Sequence, residues 1–190
     1  MSLRSPHPIW TTAMGNPYEV AKAIQQARLL SGRYRTEYLC RHWSRNRAGY
    51  CLSLSCKQQQ TPETVEHILL DCSEYSQLRD DLVSFWHKTS HPIVHSLAIQ
   101  ALGSSRSYLI QFLLDCSVLP QVIVATQCFG TVIMQEIFHL TRTWCFSVHR
   151  LRMKRLGRWN IQMWYTTLKS VSVTVTLYLN HQWLLYSLNK

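Results

Sequence analysis

The sequence predicts a mainly α-helical protein: a helical hairpin, a small Cys/Cys/His/Cys insert, then a helical bundle with a long C-terminal helix and a β-prone tail. Three observations predict it. Apolar residues recur at three- and four-residue spacing through most of residues 16–157, as amphipathic helices require. Three thiols and an imidazole stand in the array C-x4-C-x10-H-x4-C at Cys51, Cys56, His67 and Cys72. Near the C-terminus the pattern changes, and Val171, Val173, Val175, Leu177 and Leu179 alternate with polar residues in the period of a strand.

Taken in order, residues 1–15 hold Pro6 and Pro8 without periodicity and read as a flexible arm. Asn16 can cap and Pro17 can open a helix whose inner stripe is Val20, Ile24, Ala27 and Leu30, ending at Gly32. Residues 33–43 predict a second, shorter helix with Tyr34, Tyr38 and Leu39 inward and Arg33, Arg35 and Arg41 outward. Thr61 is placed as the N-cap of the next helix, with Pro62 at its first position and Glu63 favoured by the helix dipole. On an ideal helix His67 and Cys72 are separated by about 500°, so sharing one metal ion requires the helix to end or unwind near Asp71. Tyr75, Leu78, Leu82 and Phe85 predict a helix closed by Ser90–Pro92, residues 93–102 and 108–114 predict two more, and Pro120 reads as an interruption. From Thr131 the stripe Ile133, Ile137, Leu140, Trp144, Val148 and Leu151 runs to Gly157, with Arg142, His149, Arg150 and Lys154 on its outer faces. The resulting division is arm 1–15, helical and Cys/His-containing region 16–90, bundle 91–159 and tail 160–190.

With 46% apolar residues the chain can bury a core, and its net charge of +10 points to a polyanionic partner. The charge lies in blocks: nine Lys/Arg against two acids in residues 1–60, and seven against none in residues 141–169. An odd cysteine count of seven and the lack of a basic-then-apolar leader predict reduced thiols in an intracellular setting, nuclear or cytoplasmic. The uncharged windows 116–135 and 170–189 are interrupted by Pro120, Gly130, Asn180, His181 and Gln182, so membrane spanning is not expected.

Soft sulfur and nitrogen donors in that spacing are the donor set of tetrahedral Zn2+, which makes Cys51, Cys56, His67 and Cys72 the candidate ligands. The alternatives are a slipped set using Cys40, with His42 nearby, or small buried cysteines with no metal. Arg33, Arg35, Arg41, Arg45 and Arg47, interleaved with Tyr34, Tyr38, Trp43 and Tyr50, form a second constellation. Guanidinium groups meet phosphates and aromatic faces stack bases, so Arg33, Tyr34, Arg35, Arg41, Trp43, Arg45 and Arg47 are candidate nucleic-acid contacts. Arg150, Arg152, Lys154 and Arg155 belong to a third basic group, able to meet phosphate, to act as a nuclear-import cluster or to keep a helix end soluble while complementing its dipole. No paired carboxylates, nucleophile elbow or glycine-rich phosphate loop accompanies them, so no enzyme and no small-molecule substrate is expected. Cys145 with His149 is the weak catalytic alternative.

Residues 27–35 (ARLLSGRYR), Cys51, Cys56 and residues 63–72 (ETVEHILLDC), with 111–115 and 140–159, resemble the region downstream of the polymerase in LINE-type (non-LTR) retrotransposon reverse transcriptases. The resemblance implies a detached C-terminal zinc-knuckle-like segment that binds RNA or target DNA, with Cys51, Cys56, His67 and Cys72 holding a structural zinc ion. The alternatives from other classes are a metal-free relic or protein-interaction helical domain, and a basic peripheral-membrane protein.

Overall fold

The computed structural model describes residues 6–88 and 91–157. Asn16 and Pro17 start the first long helix as their chemistry requires: Asn16 Oδ1 accepts from the amides of Tyr18 and Glu19 at 3.0 and 3.4 Å. In order the helices are α1 Pro8–Thr11, α2 Pro17–Leu30, α3 Glu37–Cys40, α4 Leu54–Gln58, α5 Ser76–Lys88, α6 Pro92–Leu102, α7 Arg106–Leu114, α8 Pro120–Phe129 and α9 Val132–Arg155. A π-helical turn His67–Asp71 and a 3-10 turn Ser73–Tyr75 precede α5. Among the described residues β-structure is limited to one bridge, Tyr50 to Pro62, so the protein is mainly α as expected. The alternating stretch Val171–Leu179, and the tail 160–190 with it, lies outside the described residues.

Helix α9 is the axis of the fold, with α2, α5, α6, α7 and α8 packed around it. Its stripe Ile133, Ile137, Leu140, Trp144 and Val148 is buried, as the spacing predicts, and Leu151 is partly so. The stretches 16–90 and 91–159 share this one apolar core. Opposite α9, the inner face of α2 differs from the expected stripe: Leu30 is exposed, while Ala23 and Gln26 are fully enclosed. Gln26 is tolerated there because its side-chain amide donates to the Leu113 carbonyl at 2.9 Å and to Thr141 Oγ1 at 3.0 Å.

Four local expectations are corrected. The arm 1–15 contains α1, and Ile9 and Ala13 are buried in the core. Arg142, expected on the outer face of α9, is buried and reaches back to this segment. Its Nε donates to Glu19 Oε2 at 3.0 Å, and its terminal nitrogens donate to the side chain and carbonyl of Thr12 at 2.9 and 3.2 Å. The predicted helix over 33–43 is a single turn, because Thr36 is extended and its Oγ1 caps the Leu39 amide at 3.1 Å. Tyr34 therefore reaches the core from a bend before the helix, whereas Tyr38 is exposed. Pro120 begins α8 instead of interrupting a helix, occupying the first turn where its missing N–H costs nothing. No helix among the described residues is long and apolar enough to cross a membrane.

Candidate metal centre

Two short extended segments frame the Cys/His array. The Cys51 amide donates to the Thr61 carbonyl at 2.8 Å and the Glu63 amide to the Gly49 carbonyl at 3.0 Å, so residues 49–51 and 61–63 run antiparallel. Gly49 needs its missing side chain twice over: its φ is +82°, and a Cβ there would sit 2.5 Å from Arg41 Cδ. Cys51 ends the first segment, and α4 carries Cys56 in its middle. The chain then returns through Gln60, in the left-handed region at φ 53°, with the Thr61 amide bonded to the Cys56 carbonyl at 2.9 Å.

This pairing moves the next helix start from Thr61 to Thr64. Residues 61 and 62 are occupied by the bridge, and Thr64 Oγ1 caps the His67 amide at 3.0 Å. Past His67 the turn widens, and the Cys72 amide donates to the His67 carbonyl, five residues back, at 2.8 Å. Cys72 itself has left helical geometry, at φ −59° and ψ 119°. The unwinding required for His67 and Cys72 to share a metal ion is thus present, as a π turn. Arg106 clamps its outer side through Asp71, at 3.0 and 2.7 Å, and through Glu66 at 2.9 Å.

One ligand atom from each of Cys51, Cys56, His67 and Cys72 lies within 4.8 Å of all the others, and none of the four residues is more than 7% exposed. The slipped set is not formed, since Cys51 and not Cys40 belongs to the cluster. Cys72 Sγ is 3.6 Å from Cys51 Sγ and 4.0 Å from Cys56 Sγ. Four ligands tetrahedrally placed at the zinc–sulfur length of about 2.3 Å have edges of about 3.8 Å. These separations match that edge and are far beyond a disulfide bond. His67 Nε2 is buried with no hydrogen-bond partner, a defect in a metal-free protein and a ready donor in a metal site. Burial holds the His67 imidazole below its ordinary pKa, which favours the neutral, ligating form. The bond to Cys72, together with burial, pushes the Cys51 thiol up, a cost that a bound cation would offset. The group can therefore hold a metal ion.

Beside the cluster lies a feature that the sequence reading missed. Glu63 is buried, and Arg152 of α9 grips it through Nε at 3.1 Å and a terminal nitrogen at 2.7 Å. Glu63 also accepts the Glu37 amide at 2.5 Å. Burial works against the Arg152 charge, yet the hydrogen bonds and charge of Glu63 carry its pKa above the ordinary arginine value. No local pattern announces this pair. The signal that could have been used was one acid, Glu63, with no basic neighbour at helical spacing.

The expected nucleic-acid contacts divide in two. Arg33, Arg35, Arg41, Arg45, Arg150 and Lys154 are exposed, and Trp43 is 70% exposed. The others have structural engagements. Arg152 is committed to Glu63, and Tyr34 is buried with its hydroxyl 3.1 Å from His149 Nδ1. Arg47 pairs with Glu37 at 2.9 Å, and Arg155 pairs with Glu74 while lying over the Tyr75 ring. Arg41 lies over the Tyr38 ring at 4.9 Å. Cys145 is wholly buried, and burial pushes its thiol above the ordinary range.

Fold and site together define a mainly α protein with a buried three-cysteine, one-histidine cluster competent for a metal ion. Comparison with protein-family models, with curated proteins and with solved structures finds no match.

Proposed function

We propose that this chain is a nucleic-acid-binding module whose Cys/His loop is held by a structural zinc ion. The observation that carries the reading is the convergence of four buried donors within 4.8 Å of one another, with an orphaned imidazole nitrogen among them. Three thiolates and one imidazole favour zinc, and four protein ligands leave no open position, so the ion organises the loop and performs no chemistry. The nucleic-acid part is supported by the charge of +10 and by exposed Arg33, Arg35, Arg41, Arg45, Arg150 and Lys154 with Trp43. Among the described residues, none of these six cations lies within ion-pair distance of a carboxylate. The resemblance to the C-terminal segment of LINE-type reverse transcriptases favours RNA or target DNA as the polyanion.

The test is metal content and RNA binding on one preparation. The purified chain is expected to hold about one zinc per chain, lost in both Cys56→Ser and His67→Ala. RNA affinity should fall steeply with salt, since each released counterion adds to the slope. Full folding in chelator would remove the zinc, and salt-independent or undetectable RNA binding would remove the partner. In the second case a metal-stabilised protein-interaction domain is the reading left.

A further inference from the structure

A cleft of about 450 Å³ opens between the end of α2, residues 33–35 and the last turns of α9. Arg28, Arg33, Arg35 and Arg152 line it, with Tyr34 and His149, and no carboxylate does. Arg152 is neutralised from behind by Glu63. Among the described residues, Arg28, Arg33 and Arg35 have no carboxylate within ion-pair distance. Arg28 has only a 3.4 Å contact with Gln25 Oε1. Three uncompensated guanidinium groups around one concavity repel each other and concentrate positive potential inside it. His149 lines the same cleft with its Nδ1 3.1 Å from the Tyr34 hydroxyl; burial first, then the charges of Arg28 and Arg152, depress its pKa to about 4.

We propose that this cleft is a phosphate-binding site seating one nucleotide of a single-stranded nucleic acid, its phosphate gripped by Arg28, Arg33 and Arg35. The inference rests on the nucleic-acid reading above and gives it a location. Guanidinium forks match phosphate oxygens better than any other side chain, and the cleft volume is in the range of about 300–1,000 Å³ that small ligands occupy. A cleft of about 450 Å³ has room for one nucleotide and not for a base-paired duplex, and a single strand can turn one unstacked nucleotide inward.

The experiment uses the full zinc-loaded chain and two probes, adenosine monophosphate and a fluorescent single-stranded RNA. Arg28→Ala combined with Arg35→Ala removes two exposed cleft cations, and Lys57→Ala combined with Lys88→Ala removes the same charge elsewhere. The nucleotide is expected to shift the His149 ring resonances of the wild-type chain and leave those of the cleft variant unmoved. RNA affinity should fall about tenfold or more in the cleft variant and stay within about twofold in the control. Equal weakening by both variants, with His149 unmoved by nucleotide, overturns the cleft while the nucleic-acid reading stands. Nucleotide binding at His149 with no RNA binding by the wild-type chain overturns the strand and that reading together. Vesicles containing phosphatidylinositol phosphate that bind more tightly than RNA, and release in the cleft variant, assign the phosphate to lipid and overturn the strand.

Discussion

Glu63 accepts from three donors at once, two Arg152 nitrogens and the Glu37 amide, with almost no access to water. It joins the metal loop, the start of α3 and the end of α9. Its partner Arg152 is 89 residues away in the sequence, so local spacing could place Glu63 only by its helix-dipole preference. Asn16 was legible for the opposite reason, because a cap and its amides lie within three residues. Glu63→Ala leaves a buried guanidinium without its counter-charge and should cost about 3–5 kcal/mol in urea unfolding. The double change with Arg152→Met should cost clearly less, because no stranded charge remains. A Glu63→Ala cost below about 1 kcal/mol would mean that water reaches Arg152 and that the pair does not hold the loop.

The elements that periodicity predicted are the long ones. The stripe of α9 and the Pro17 start of α2 were legible because each is fixed by residues within a few turns. The short elements were not: α1 is tied to the core by the burial of Ile9 and by Arg142 on Thr12, and α3 is cut to one turn by the Thr36 cap. The Cys/His array stood between these cases. Its donors and the need for unwinding near Asp71 could be read, but the cap could not, because the Tyr50–Pro62 bridge takes Thr61 out of contention. Thr64 and Thr61 therefore make a discriminating pair. Thr64→Ala removes the bond to the His67 amide and should cost about 1 kcal/mol of local helix stability. Since metal binding and loop folding are coupled, zinc affinity should drop about fivefold, as read by competition with a chromophoric chelator. Thr61→Ala, which keeps its backbone bond to Cys51, should leave affinity unchanged. The reverse ranking would return the helix start to Thr61.

Across the whole molecule the metal cluster and the apolar core are neighbours with different supports. Cys51, Cys56, Ile68, Leu69 and Cys72 belong to the same buried cluster as α9, yet most of that cluster comes from α2 and from α5 to α9. The bundle end of that cluster holds the large side chains Trp86, Phe112, Phe138 and Trp144, with Trp86 and Phe112 packed edge to face, while Cys51, Cys56 and Cys72 lie earlier in the sequence. Removing zinc should thus open the loop and spare the bundle, a local unfolding and not a global one. In chelator the far-ultraviolet helical signal should fall only slightly, while amide exchange accelerates through residues 49–75 and stays slow in α9. The melting temperature should drop, because zinc binds the native state and not the unfolded chain. Arg152 then loses the fixed position of Glu63, so amide protection at the C-terminal end of α9 is expected to weaken next. Complete loss of helix in chelator would make the bundle dependent on the ion; unchanged exchange in residues 49–75 would show that the loop is held by Glu63 and its own hydrogen bonds without metal.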